Sequence, residues 1–564
     1  MHHSASEVLV QLACVKEEHL IEAVRNAGRL TILLQRQLFD EVASICGSST
    51  DDEQRARLRD AVRAFLNRQR SKDSPKSKDV KAIIEFAETM FWQLAPTDPV
   101  VRERWKFGEL RLQFPEGRVA NAREWLPRSD AARIESMREL LGEGGVASAV
   151  EMVGVADAPW LVGVAFADAD ASDEQIRTWV HGLIVNGDWP GPAGVAVQGL
   201  MHRLDRARGA ALEQWAKEQA AKGVMSAEQV ALFLIVCPFD RVTWTIVDDL
   251  GSDVGQTYWS RVTGHIHDGS ESDVAFAMQC FLDMDRPRSA FQCAQFVLER
   301  APVDLLIDAL RGFVAGREPE GPEPDAYVID LAFAEFDRRG SAPENDMISL
   351  EFGLYPALRG GERGPRTLLS RLRADPSLFA ELICLAYRGD SGGSGDLKNV
   401  TKPTRQHAWD VLHDFTSIPG VDSDGAVDVE VMRSWFEGVQ SICQGQGRGE
   451  VADVILGELL ANAPADSDGY WPCAAVAQLF EEIWTDSLSD GFECGVRNKH
   501  GESWRGFHEG GGREQTLAER FSKFAESAST TFPRVATSLR SISESFVRDA
   551  EDADRRAAYR REGD

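Results

Sequence analysis

Residues 226–266 read SAEQVALFLIVCPF, DRVTWTIVDDLG and SDVGQTYWSRVTGHI in succession. Each piece opens on Ser or Asp, carries apolar residues at helical spacing, and is punctuated by Pro or Gly near its end. The rhythm continues through SDVAFAMQCFLDMD at 272–285, RSAFQCAQFVLERAP at 288–302 and VDLLIDALRGFVAG at 303–316. A helix of so few turns is marginal alone and must bury its apolar face on a neighbour. Short connections make sequence neighbours antiparallel. The reading is an all-α chain built as an α-solenoid of HEAT- or tetratricopeptide-like short antiparallel helices, followed by a helical C-terminal domain. Unit lengths vary and no strict consensus recurs, so no repeat type is assigned. PWLVGVAFAD at 159–168 has the composition of a buried strand. No partner strand with turn signals follows it, so a helix is expected there too.

Outward from this core, composition divides the chain. The charged run RSKDSPKSKD at 70–79 and the Gly/Ser-rich run GDSGGSGDLKNVTKPT at 389–404 are expected borders. They delimit an N-terminal helical segment at 1–72, a helical domain at 80–218, the solenoid at 219–388, a linker or loop at 389–404, and a C-terminal domain at 405–564. The exposed polar character of 389–404 also makes it a candidate site of regulatory cleavage. The last domain is expected to close with long helices at about 515–530 and 533–561.

Charge excludes some functions. With 62 Lys and Arg against 90 Asp and Glu, the 564-residue chain carries a formal charge of -28. That disfavours general binding to nucleic acid, where cations must displace phosphate counterions, and to anionic membranes. It suits solubility, repulsion of nucleic acid, or docking onto a basic partner, and adaptation of surface composition to the host accounts for it equally well. Nine cysteines lie mostly in apolar runs and form no CxxC pair. The odd count and the absence of a leader-like or long apolar segment give cytoplasm as the expected location.

Chemistry concentrates in GVRNKHGESWRGFHEGGGREQTLAERF at 495–521. A turn-rich run carrying Asn498, His500, Trp504, Arg505, His508 and Glu509 meets three consecutive glycines before a helix. Arg505, His508, Gly510, Gly511, Gly512 and Arg513 are therefore the candidate ligand or anion site, because free N–H groups at a helix start attract negative charge. The order GxxxxGK[ST] is absent, and the competing reading is a loop that packs Trp504 and Phe507 and caps the next helix. Cys494, His500 and His508 lack a local fourth ligand, so no metal site and no cofactor is assigned. The DSDG runs at 422–425 and 466–469 read as turns rather than calcium loops. No catalytic residue is assigned, and the chain is read as a non-enzyme. A second candidate, for partner binding, is the group Arg359, Arg363, Arg366, Arg371 and Arg373. Its bland alternative is pairing with carboxylates such as Glu362 and Asp375. Trp244, Trp259, Trp435, Trp471 and Trp504 are possible partner anchors, with most of them expected in the core.

From about Val224 onward the chain resembles the C-terminal region of large bacterial proteins. The resemblance rests on CPFDRVTWTIVDDLG with YWSRV, DPSLFAELICLAYR, LGELLANAPADSDGYWP, the 495–521 run, and FPRVATSLRSISESFVRDAEDAD at 532–554. It covers roughly the last three-fifths of the chain. It implies a helical-repeat module linked to defence or toxin systems, working with another protein from the same operon, and it transfers no catalytic residue. The expected function is a non-enzymatic interaction scaffold or regulatory module. The alternative is ligand sensing or catalysis through residues 495–515.

Overall fold

The computed structural model describes residues 17–48, 51–71, 77–117, 121–186, 189, 191–389, 400–422, 426–500 and 510–563. Among them every regular element is a helix, and the one β contact is an isolated bridge between Val421 and Val427. The expected units appear as helices Ala227–Ile235, Arg241–Leu250, Ser252–Arg261, Glu271–Asp283, Pro287–Ala294 and Val303–Val314. Their starts are set locally. Ser226 and Gln229 form a reciprocal capping box, as do Ser270 and Asp273. The Asp240 carboxylate accepts the N–H groups of Val242 and Thr243. PWLVGVAFAD is the helix Pro159–Asp168, with its proline in the first turn where no hydrogen bond is lost.

Two compact units divide the chain at 269/270. Within each, a helix packs chiefly on helices one to three places away in the sequence, as in a solenoid. In the first unit, Pro159–Asp168 packs on Pro192–Arg203, and Ala227–Ile235 on Ser252–Arg261. In the second, Pro287–Ala294 packs on Val303–Val314, and Pro376–Ala386 on Lys402–Asp414 and Val429–Gly445. Compositional breaks do not coincide with packing breaks. Leu58, Phe65 and Leu66 before the 70–79 run share one buried cluster with Ile83, Ala87 and Phe91 after it. Leu382 and Ile383 likewise share a cluster with Ala408 and Val411 across 389–404.

Some helix pairs touch backbone to backbone. A Cβ added to Gly163 would lie 1.8 Å from the Ala196 carbonyl oxygen, and one on Gly199 would lie 2.3 Å from that of Trp160. The same device joins Gly449–Leu460 to Asp486–His500, where Gly457 faces the Leu488 oxygen and Gly491 faces that of Val454. This corrects one reading. Asn498 and His500 lie on the helix Asp486–His500, not in a turn-rich run. Leu488, Phe492 and Val496 give it a buried stripe, and Gly491 and Gly495 permit close approach rather than marking turns. The chain closes with helices Gly512–Ala528 and Pro533–Gly563 packed on each other. No described helix is long and apolar enough to cross a membrane.

Candidate functional site

The arginine group lies in the second unit, around a loop that wraps one buried carboxylate. Asp330, on the helix Ala326–Arg339, is 4% exposed. It accepts the backbone N–H groups of Arg363 and Gly364, each at 3.0 Å. A side chain on Gly361 would collide with it. This turn delivers Arg363 inward, where its side chain is 5% exposed. The guanidinium spans Asp337, at 2.8 and 3.1 Å, and Glu351, at 2.5 Å, and lies 5.2 Å from the Phe333 ring centre. Glu351 is itself fully buried and accepts the Leu368 N–H at 2.6 Å. It thereby satisfies a first-turn donor of helix Arg366–Ala374, which lacks a side-chain cap of its own. Arg363 is thus a structural pivot rather than an exposed contact.

The other arginines stay nearer the surface. Arg366 pairs with Asp337, Arg371 with Asp375 at 3.3 Å, and Arg359 reaches Asp414 at 3.9 Å. Arg373 is half-buried. The hydrogen bond from Arg363 holds the Asp337 carboxyl below the usual range. Beside them runs an open groove of about 570 Å³, lined by Asp330, Leu331, Ala334, Asp337 and Arg338 on one side and Glu362, Arg363 and Arg366 on the other. Leu331 is 40% exposed, and Tyr327, one turn earlier on the same face, is 67% exposed. Sequence reasoning missed both, although their spacing of four on a solvent-facing stripe was visible.

An acid-sensitive pair borders this region. The Arg338 hydrogen bond, reinforced by Arg339, brings the Glu335 carboxyl from 4.5 to about 2. A depressed carboxylate stabilises the fold fully above its unfolded value and loses that contribution as pH falls toward the folded one. Wild type should therefore lose stability more steeply than Glu335→Gln between about pH 4.5 and 2. Urea midpoints measured across that range check this; parallel curves would refute it.

The second candidate reads differently once folded. Arg505 and His508 lie outside the described residues. Gly510 and Gly511 meet the last helix, and the Gly511 N–H donates to Asp554 at 2.8 Å. A Cβ on Gly511 would sit 2.3 Å from the Ala550 carbonyl oxygen. The negative partner at this helix start is therefore a carboxylate of the chain itself. Gly512 and Arg513 are exposed on the first turn. Nearby, Trp471, Phe521, Phe524, Val496, Ala461, Ala463, Lys499 and Arg520 line a pocket of about 320 Å³.

Among the described residues, no group of three or more His, Cys, Asp or Glu could hold a metal ion. Cys494 has Asn498 at 3.5 Å, and burial pushes its thiol up. In the first unit a cleft of about 380 Å³ includes Trp160, His202, Arg206 and Cys237. Arg206 is held by buried Glu213 at 2.5 Å and by Asp240 at 2.9 Å, and burial raises both the Glu213 carboxyl and the Cys237 thiol. A raised thiol is a poor nucleophile. Arg102, Arg104 and Lys106 pair with Glu143, Glu53 and Glu103. Trp244, Trp259 and Trp435 are core residues at 1–4% exposure, so they cannot anchor a partner.

No family model matches the chain, and no curated protein matches it. A solved structure described as a circular tandem repeat protein with novel repeat topology and enhanced subunit contact surfaces aligns over 99% of this chain and 100% of its own. The identity is 12% and the TM-score 0.12, so the alignment carries no argument.

Proposed function

We propose that this chain is a non-enzymatic cytoplasmic scaffold in a bacterial defence or stress system, and that it engages another protein encoded in the same operon. The supporting observation is the groove beside the helix Ala326–Arg339. There Tyr327 and Leu331 present apolar surface while the exposed guanidinium groups of Arg338 and Arg366 flank it. Each arginine already holds one carboxylate and keeps further N–H donors for a second acceptor. The surface fits a partner segment with an apolar side chain bordered by Asp or Glu. Solenoid surfaces serve such contacts through one extended face, and aromatic anchors near arginine carry much of the affinity.

The test is quantitative capture from the host with the wild-type chain, Leu331→Asp and a control, Val242→Asp, whose exposed site lies in the first unit. A stoichiometric, operon-encoded protein should be retained by wild type and control. The Leu331 variant should retain it at least about tenfold less, the usual scale for an interface anchor. Equal retention by all three, or recovery of the chain alone, would sink the proposal.

A further inference from the structure

The pocket between the helices Asp486–His500 and Gly512–Ala528 is walled by aromatic rings that the fold holds in place. Trp471 donates its indole N–H to the Ala463 carbonyl at 2.8 Å and stacks on Phe492 at 5.3 Å with an interplanar angle of 11°. Phe521 stands edge-on to it at 6.0 Å, and Phe524 lies tilted at 6.4 Å. The walls therefore need little rearrangement to accept a guest. At the rim, the Arg520 guanidinium lies 5.4 Å from the Phe524 ring centre. The Lys499 ammonium reaches the Ala461 carbonyl at 3.5 Å. Neither cation pairs with a carboxylate among the described residues. In a chain of net charge -28, this apolar pocket thus has two cations among its lining residues.

We infer that this pocket binds a small organic anion: a carboxylate or sulfonate on an apolar body of aromatic or medium-chain aliphatic character. A volume of about 320 Å³ suits such a molecule. The apolar body would lie against Trp471, Phe521 and Phe524, and the anionic head would take charge-assisted bonds from Lys499 and Arg520. The inference is independent of the scaffold reading, since the groove at Leu331 is a different surface formed by other helices.

Dodecanoate is the probe, titrated into the full chain by calorimetry, with dodecan-1-ol and inorganic phosphate as counterparts lacking the charge or the apolar body. The expected result is saturable binding at one site per chain, weakened about tenfold or more by Arg520→Glu and by Lys499→Glu. Both side chains are exposed, so neither variant disturbs the core. On the wild-type chain, dodecan-1-ol and phosphate should each bind about tenfold more weakly or worse. No saturation by about 1 mM dodecanoate, dodecan-1-ol binding equally tightly, or indifference to both charge reversals would overturn the site.

Discussion

Arg363→Ala is expected to cost about 3–5 kcal/mol of stability, because it strands a charge rather than merely deleting a contact. Glu351 is fully buried, and Arg363 is its cationic partner at 2.5 Å. Without the guanidinium, the carboxylate keeps the Leu368 N–H but loses its counter-charge. Asp337 would lose two hydrogen bonds as well. A lysine at 363 places one point charge where a planar fork now spans two carboxylates, so Arg363→Lys should recover only part of the loss. Removing both partners should be milder than the sum of the single changes, since no lone buried charge remains. Urea unfolding of the single and double variants measures all of this. A loss under about 1 kcal/mol for Arg363→Ala would show that water reaches Glu351 and that the pivot is not structural.

The second large effect turns on glycine at helix crossings. Gly→Ala inside a helix ordinarily stabilises it by about 0.5–1 kcal/mol. Gly154, on the helix Gly145–Val155, faces open space, and Gly154→Ala should show that gain. Gly163→Ala should reverse the sign. Its Cβ would penetrate to 1.8 Å from the Ala196 oxygen and 2.8 Å from the Leu200 nitrogen. Those atoms are helix backbone and cannot swing aside, so the helices must separate. A net loss of about 1–3 kcal/mol is expected, and more for Gly163→Leu. Thermal and urea unfolding of the paired variants decides it; two stabilising substitutions would mean that these helices do not cross in contact.

Local features of the fold were legible because they are local in cause. Ser226, Asp240 and Ser270 each cap a helix within three residues of themselves, and a reader of the sequence can see both partners at once. Glycine was less transparent. Gly251 sits between two helices at φ 91°, where a turn is the right reading, yet Gly491 and Gly495 look the same in sequence and serve a crossing with a helix more than thirty residues earlier. That distant partner is why Asn498 and His500 were expected in a turn. The arginine group illustrates the same limit. Pairing of Arg371 with Asp375 is visible at a spacing of four. The partners of Arg363 are not, because Asp337 and Glu351 come from two other helices. Glu362, the nearest carboxylate in sequence, instead lines the groove. At 510–513 the sequence showed a helix start suited to an anion, but not that Asp554, more than forty residues on, occupies it.

The proposed scaffold role places the contact on residues 326–339 and 360–366, so hydrogen exchange on the full chain, with and without a protein captured on it, is its most direct test. Such a contact predicts slowed amide exchange across Ala326–Arg339 and the 360–366 loop when the partner is bound, with exchange in Gly512–Ala528 unchanged. Protection confined to Gly512–Ala528 and Asp486–His500, or absent from 326–366 while the partner is bound, would contradict it and move the functional surface to the C-terminal helices.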